Sequence, residues 1–169
     1  MACALPHAIG AQTAFPGRQV VALAGDGGLT MSFGELITLS QNRLPVKLIV
    51  FNNSSLNFVE LEMKAAGIVN FGTELVNPDF AAVAQAMGLF GRRVEHPGEL
   101  ERALTDAFAH DGPAVIDVVT ARQELSIPPA ITAEQAKGFS LYAIRTIMAG
   151  RADELLDLVT TNVARRLLD

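Results

Sequence analysis

Apolar positions along the chain follow two periods. Val20–Ala24 is a short apolar run that stops at Gly25-Asp26-Gly27-Gly28, and Val46–Phe51 and Pro113–Val119 are two more. Continuous apolar runs of this length, rich in branched residues, predict buried strands. Between them the spacing turns helical. Phe33, Leu36, Ile37 and Leu39 predict a helix over Phe33–Asn42, ended by Asn42 and Pro45. Asn77-Pro78 predicts the start of another, with Asn77 as cap and Pro78 at the first position. It carries Phe80, Val83, Ala84 and Met87 and closes at Gly88. Arg92–Val94 reads as a short edge strand. Leu100–Ala109 reads as a helix with Leu100, Ala103, Leu104, Ala107 and Phe108 on one side.

Strands alternating with helices of this length predict an α/β fold, a doubly wound parallel sheet with helices on both faces. Ligands of such sheets bind beyond the carboxyl ends of the strands. Gly25–Gly28 and Asn52-Asn53, each following a strand, are therefore expected as loops at that edge, with the Asp26 side chain outside the core. After Val119 the pattern changes. Ile127-Pro128-Pro129 reads as an extended connector, and Thr132 to Gln135 is a capping box that starts a helix to about Ala149. Gly150 breaks it, and Asp153–Leu168 forms a last helix, with Asp153 and Glu154 at its start and Arg165 and Arg166 near its end. The expected division is an α/β domain over 1–122, a connector and helix over 123–150, and a C-terminal amphipathic helix over 151–169.

The 169 residues are 50% apolar and 18% charged, too apolar for a disordered chain. The apolar excess points to surface meant for a partner. A net charge of −5 without a basic cluster argues against nucleic-acid binding by phosphate neutralisation. Cys3, the single cysteine, allows no internal disulfide and reads as a small buried residue. His7, His96 and His110 share no ligand spacing and read as surface or capping residues. No apolar stretch approaches the ~20 residues of a membrane span. No basic leader precedes the apolar start, so a cytoplasmic setting is expected.

Gly25-Asp26-Gly27 is followed, after 24 residues, by Asn52-Asn53. Either motif alone is common turn chemistry. Together they put a carboxylate and an amide oxygen at the ends of two strands. Such a pair suits Mg²⁺, which takes hard oxygens and few anionic side chains when phosphates supply the rest. The glycines leave room and free amides for a diphosphate. Other phosphate loops do not fit: a dinucleotide pattern needs glycine where Thr30 stands, and no Gly-Lys-Ser/Thr occurs.

The motif at this spacing resembles that of the thiamine-diphosphate enzymes. The opening Met1-Ala2-Cys3-Ala4-Leu5-Pro6, then GDGGLTM, LPVKLIVFNNS, FVELEMKAAG, GTEL, DGPAVIDVV, ELSIPP and EQAKGFSLY, are similar to the carboxyl-terminal domain of the quinone-linked pyruvate dehydrogenase (bacterial pyruvate oxidase) family. The resemblance implies that Asp26 and Asn53 give side-chain oxygens to Mg²⁺ and Ser55 its carbonyl. Gly25, Gly27 and Gly28 would hold the diphosphate, with Asn52 supporting the turn. Met1 falls at the apolar wedge under thiamine, Phe58 at an aromatic between thiamine and flavin, and Glu62 at an acid near the substrate. On the residues alone, Met1 also reads as a plain chain start. Phe58 with Val59, Leu61 and Met63 reads as helix core, and Glu62 beside Glu60 and Lys64 as a solvated helix face.

The resemblance implies oxidative decarboxylation of pyruvate to acetate and CO₂, with electrons passing through FAD to ubiquinone, in a dimer or tetramer. The pyrimidine-binding and FAD domains of that family have no counterpart here. The chain therefore reads as a portion of a larger enzyme, inactive alone. The resemblance also implies a peripheral membrane contact through the tail, where Leu155, Leu156, Leu158, Val159, Val163, Leu167 and Leu168 make a broad apolar face. No Trp or Tyr lies beyond Tyr142, and from Arg151 three arginines face four acids, so packing on protein is the alternative. Acetolactate synthase and a non-catalytic partner module are the rival readings.

Overall fold

The structure is a computed structural model that describes residues 1–122 and 132–168, with side chains through Asn162. The Ile127-Pro128-Pro129 connector and the side chains of Val163, Arg165, Arg166, Leu167 and Leu168 lie outside the described residues. By contacts the chain groups into two units, 1–54 with 76–120 and 55–75 with 121–169. The segment 55–75 thus groups with the C-terminal part and not with the sequence that flanks it.

The first unit runs α1 (Ala4–Ala14), β1 (Val21–Gly25), α2 (Asp26–Thr30), a 3-10 turn (Phe33–Glu35), α3 (Leu36–Gln41) and β2 (Lys47–Asn52). It continues after the second unit's first segment, which holds α4 (Asn57–Ala65). There follow α5 (Phe80–Ala86), β3 (Phe90–Val94), a second 3-10 turn (Pro97–Glu99), α6 (Leu100–Ala109) and β4 (Ala114–Val119). The strands form one parallel sheet in the order β1-β2-β4-β3, with β3 at an edge as expected. One face is covered by α1, α3 and α5, whose Leu5, Leu36, Leu39 and Phe80 meet Ala22, Leu48, Val50 and Val115. On the other, Ala103 and Ala107 of α6 pack on Val94, Ala114 and Ile116. Among the described residues, α6 covers only the β3-β4 half of that face. On the β1-β2 half Val21, Leu23 and Phe51 are exposed, Leu23 by 60%. Parallel sheets are ordinarily buried on both faces, so this half accounts for part of the apolar excess.

Several expectations are corrected. Residues 26–30 are not a loop: α2 begins at Asp26, directly after the last residue of β1. Two glycines in five residues hide that helix from any propensity argument. The cap of α5 is Asp79, whose carboxylate accepts from Ala82 N at 2.9 Å, and not Asn77. Cys3 is exposed rather than buried. The histidines sit as expected: His96 caps the turn at Pro97, and His110 follows the end of α6. The β3-α5 packing is close, since a Cβ on Gly91 would lie 2.2 Å from the Ala81 carbonyl oxygen.

The second unit holds α4, α7 (Ala133–Met148) and α8 (Ala152–Leu168). The capping box forms as expected, with Thr132 Oγ1 accepting from Gln135 N and Gln135 Oε1 from Thr132 N. Gly150, at φ 75°, turns the chain between α7 and α8. Helix α4 corrects the sequence reading twice. Glu60 and Lys64 are not a solvated face but are buried, while Phe58 and Val59 are not core but are exposed, Phe58 by 77%. The helix points its charges inward because partners wait there. The Glu60 carboxylate accepts from Ser55 Oγ at 2.6 Å, Thr73 Oγ1 at 2.9 Å, Asn70 Nδ2 at 3.1 Å and Lys64 Nζ at 3.3 Å. The Lys64 ammonium also lies 5.8 Å from the centroid of the buried Tyr142 ring.

Burial alone would raise the Glu60 pKa. The Ser55 and Thr73 hydroxyls and the Lys64 charge together outweigh burial and hold it below the ordinary value. A carboxylate depressed in the folded state adds stability above its unfolded pKa, about 4.3, and loses it as pH falls. Urea unfolding followed from pH 6 to pH 3 is therefore expected to show a falling midpoint. Glu60→Gln should flatten that fall while lowering stability at pH 7. An equally steep fall in the variant would contradict the assignment. In α8, Leu158 is buried and Leu156 and Val159 are exposed. No helix among the described residues is long and apolar enough to cross a membrane.

Candidate functional site at the carboxyl edge of the sheet

The first unit places four of the sequence-predicted residues, Gly25, Asp26, Gly27 and Gly28, where β1 passes into α2. Asn52 is the last residue of the neighbouring strand β2. Parallel pairing in register, Gly25 opposite Phe51, brings the two motifs to the same edge of the sheet.

Asp26 is 3% exposed, which corrects the expectation that its side chain lies outside the core. Oδ1 accepts from Gly27 N at 2.8 Å. Oδ2 accepts from Ser54 N at 2.7 Å and from Asn77 Nδ2 at 2.7 Å. Ser54 has φ 56°, a left-handed backbone that a non-glycine residue adopts only when held there. The carboxylate is thus a tie among the start of α2, the turn after β2 and the segment before α5. An ionised carboxylate has about four acceptor positions. Three are used, which leaves one on Oδ1.

The glycines carry a second observation. Gly25 has φ −76° and ψ 152°, open to any residue, and no atom lies within 4 Å of a Cβ built there. Gly28 lacks a left-handed φ, and its Cβ would meet only Ala2 N at the ordinary distance of 3.6 Å. The described fold needs glycine at neither position. Gly28 moreover weakens α2 by about 1 kcal/mol relative to alanine. Glycines that neither turn nor packing requires fit a ligand whose atoms approach the backbone.

Beneath this edge lies a buried polar chain. Asn77 Nδ2 donates to Asn52 Oδ1 at 2.9 Å as well as to Asp26. Asn52 Nδ2 donates to Asp117 Oδ1 at 2.9 Å. Asp117, fully buried within β4, accepts on Oδ2 from Arg93 Nη1 at 2.6 Å and from Phe80 N at 3.3 Å. Arg93, held by Glu95 and Asp117, keeps its proton more firmly than a free arginine. Asn77, Asp117 and Arg93 were missed from sequence. Asp117 carried a signal, since a lone carboxylate in an apolar strand requires a buried partner.

Asn53 follows Asn52 in the turn that Ser54 completes. Ser55 belongs to the second unit, where its hydroxyl donates to Glu60. Phe58 and the exposed Glu62 stand on α4 in that unit, and Met1, 71% exposed, precedes α1. Among the described residues no three His, Cys, Asp or Glu side chains gather as a metal set. One carboxylate with one open acceptor, next to an asparagine, makes a hard-oxygen set that fits Mg²⁺ when phosphate oxygens complete the shell.

Comparison with known proteins gives the family. The family described as "Thiamine pyrophosphate enzyme, C-terminal TPP binding domain" matches residues 1–118. A Bacillus subtilis (strain 168) protein named "Putative thiamine pyrophosphate-containing protein YdaP" is 37% identical over 158 residues, 94% of this chain and 27% of that protein. The acetolactate synthase of the same organism is 37% identical over 119 residues, 68% of this chain and 20% of the synthase. A solved structure, the thiamine diphosphate-dependent 4-hydroxybenzoylformate decarboxylase of Rhodococcus jostii RHA1, superposes with a TM-score of 0.68 at 31% identity. That match covers 72% of this chain and 23% of the decarboxylase. The chain spans about a quarter of the length of these relatives. With its parallel sheet, its Gly-Asp-Gly segment tied through Asp26 to Ser54 beyond β2, and a family match over most of its length, the chain belongs to the thiamine pyrophosphate enzymes, as their C-terminal cofactor-binding domain.

Proposed function

We propose that this chain holds the Mg²⁺-diphosphate end of thiamine diphosphate in an enzyme that decarboxylates pyruvate oxidatively to acetate and CO₂. The observation that carries the cofactor role is the buried Asp26 carboxylate, with one open acceptor beside glycines the fold does not need. When bound, thiamine diphosphate supplies a nucleophilic carbon and an electron sink for loss of CO₂. The chain's own part is to bind and orient. Asp26 and Asn53 would give oxygens to the metal, with Ser55 offering its carbonyl, and Gly25, Gly27 and Gly28 would admit the diphosphate to backbone amides. Phe58, Glu62 and Met1 are proposed to face thiamine and substrate, a role that suits an exposed aromatic and an exposed acid on α4.

The pyruvate-oxidising branch is preferred over acetolactate synthesis because ELSIPP and EQAKGFSLY, beyond the family domain, resemble that branch. The acetolactate synthases of Bacillus subtilis and Aspergillus candidus match 68% and 76% of this chain, whereas YdaP matches 94%, into the C-terminal helices. On this reading the parent enzyme takes up pyruvate and water, releases acetate and CO₂, and passes two electrons through FAD to ubiquinone. It would do so as a homo-oligomer in contact with the cytoplasmic face of the membrane. The test is the complete enzyme incubated with pyruvate, Mg²⁺ and thiamine diphosphate, with and without a soluble ubiquinone. Acetate formation that requires the quinone is expected. Acetolactate formed without any electron acceptor would overturn the oxidative reading in favour of the synthase.

A further inference from the structure

We propose that Asn77 is a positioning residue for the metal-binding carboxylate, and that the buried Asp117, ion-paired with the half-buried Arg93, sets its orientation through Asn52. The inference rests on the cofactor reading above and concerns residues outside the Gly-Asp-Gly and Asn-Asn motifs. Each step follows from the donor inventory of the side chains. Asp117, ionised against Arg93, can only accept, so Asn52 must turn its NH₂ toward it. That leaves the Asn52 carbonyl oxygen facing Asn77, which must then present its own NH₂. The second hydrogen of that NH₂ is directed at Asp26 Oδ2, 2.7 Å away. Neither amide can flip without setting two acceptors or two donors against each other, so the hydrogen-bond chain itself decides both orientations.

The consequence falls on Asp26. Ser54 N and Asn77 Nδ2 both occupy Oδ2, while Oδ1 has only Gly27 N. Asn77 thereby saturates one oxygen and leaves the free acceptor position on the other, which fixes where a cation can be bound. Partners of this kind, one bond behind a metal ligand, typically change metal affinity by about 10- to 100-fold when removed. Asn77 does not cap α5, a role held by Asp79, so the two effects separate cleanly by mutation.

The test uses the full protein, its Asn77→Ala and Asn77→Ser variants, and Asp79→Ala as the control that weakens α5 alone. Thiamine diphosphate binding is titrated calorimetrically at rising Mg²⁺, and each metal-free protein is melted in parallel. Asn77→Ala should raise the Mg²⁺ needed for half-maximal binding about tenfold or more. Asn77→Ser, which keeps one donor, should fall between it and the parent. Asp79→Ala should lower the melting temperature with the Mg²⁺ requirement unchanged. In the unmodified protein the Asn77 side-chain NH₂ should exchange its hydrogens slowly, a readout that needs no variant to fold. A parent-like Mg²⁺ requirement in Asn77→Ala, or an equal rise in Asp79→Ala, would overturn the positioning role while the cofactor reading stands. No Mg²⁺-dependent binding by the parent would overturn the cofactor reading itself, and this inference with it.

Discussion

Replacing Asp26 with alanine is expected to abolish Mg²⁺-dependent cofactor binding and, at the same time, to destabilise the first unit by about 3 kcal/mol. The second effect follows from the carboxylate's three donors. Ser54 N and Asn77 Nδ2 would lose a charged acceptor, and hydrogen bonds to charged groups contribute roughly 1.5–3 kcal/mol each, part of which water recovers. Ser54 would also lose the contact that holds its left-handed backbone. Asp26→Asn is no gentler substitute. Its amide offers one acceptor oxygen where three donors converge, and its NH₂ would face other donors. Thermal melting without metal, paired with calorimetric titration of thiamine diphosphate in Mg²⁺, checks both parts. A variant that melts like the parent would show that Asp26 is no structural tie. One that binds with parent affinity would remove it from the metal.

Gly138→Ala is expected to be the most damaging single substitution in the second unit. Built onto Gly138, a Cβ would lie 1.7 Å from the Ala65 carbonyl oxygen and 2.6 Å from its carbon. The obstacle is backbone, so α4 and α7 must separate. Alanine's better helix propensity returns only about 1 kcal/mol. Overpacking of this kind costs about 1–3 kcal/mol and sometimes more, and a clash with backbone belongs at the upper end. Gly10 in α1 is the natural control. It too lies inside a helix, yet nothing is within 4 Å of its added Cβ, so Gly10→Ala should stabilise by up to about 1 kcal/mol. Urea unfolding of both variants gives the comparison. A Gly138→Ala protein as stable as the parent would mean that α4 and α7 do not cross so closely.

What could be read from the chain depended on whether the deciding partner was near in sequence. The central strands β2 and β4 were legible because an apolar run at a sheet centre needs no other signal, whereas β1, read as buried, is an edge strand with Val21 and Leu23 exposed; the capping box at Thr132 was legible because its partners stand three residues apart. Helix α1 was invisible: its alanine-rich sequence segregates almost no apolar face. Asn77 was assigned to a cap because Asn-Pro at a helix start is sufficient local chemistry. Its actual partners, Asp26 and Asn52, lie 51 and 25 residues away. The burial of Glu60 and Lys64 on α4 was hidden for the same reason, although Glu62 is exposed as the solvated-face reading expects. Glu60 is buried only because Thr73 and Asn70 return to meet it, 13 and 10 residues on. The proposed metal site was legible as a pair of motifs at one sheet edge. What sequence could not supply was that Asp26 is buried and already holds three donors, which gives it a structural role beside the proposed metal-binding one.

The most direct test of the cofactor role is a calorimetric titration of this chain with thiamine diphosphate, in Mg²⁺ and again in EDTA. Saturable heat that disappears in EDTA, and disappears from the Asp26→Ala protein in Mg²⁺, is the expected result. Heat that is absent from the parent, or indifferent to Mg²⁺, would contradict a metal-diphosphate site built on Asp26.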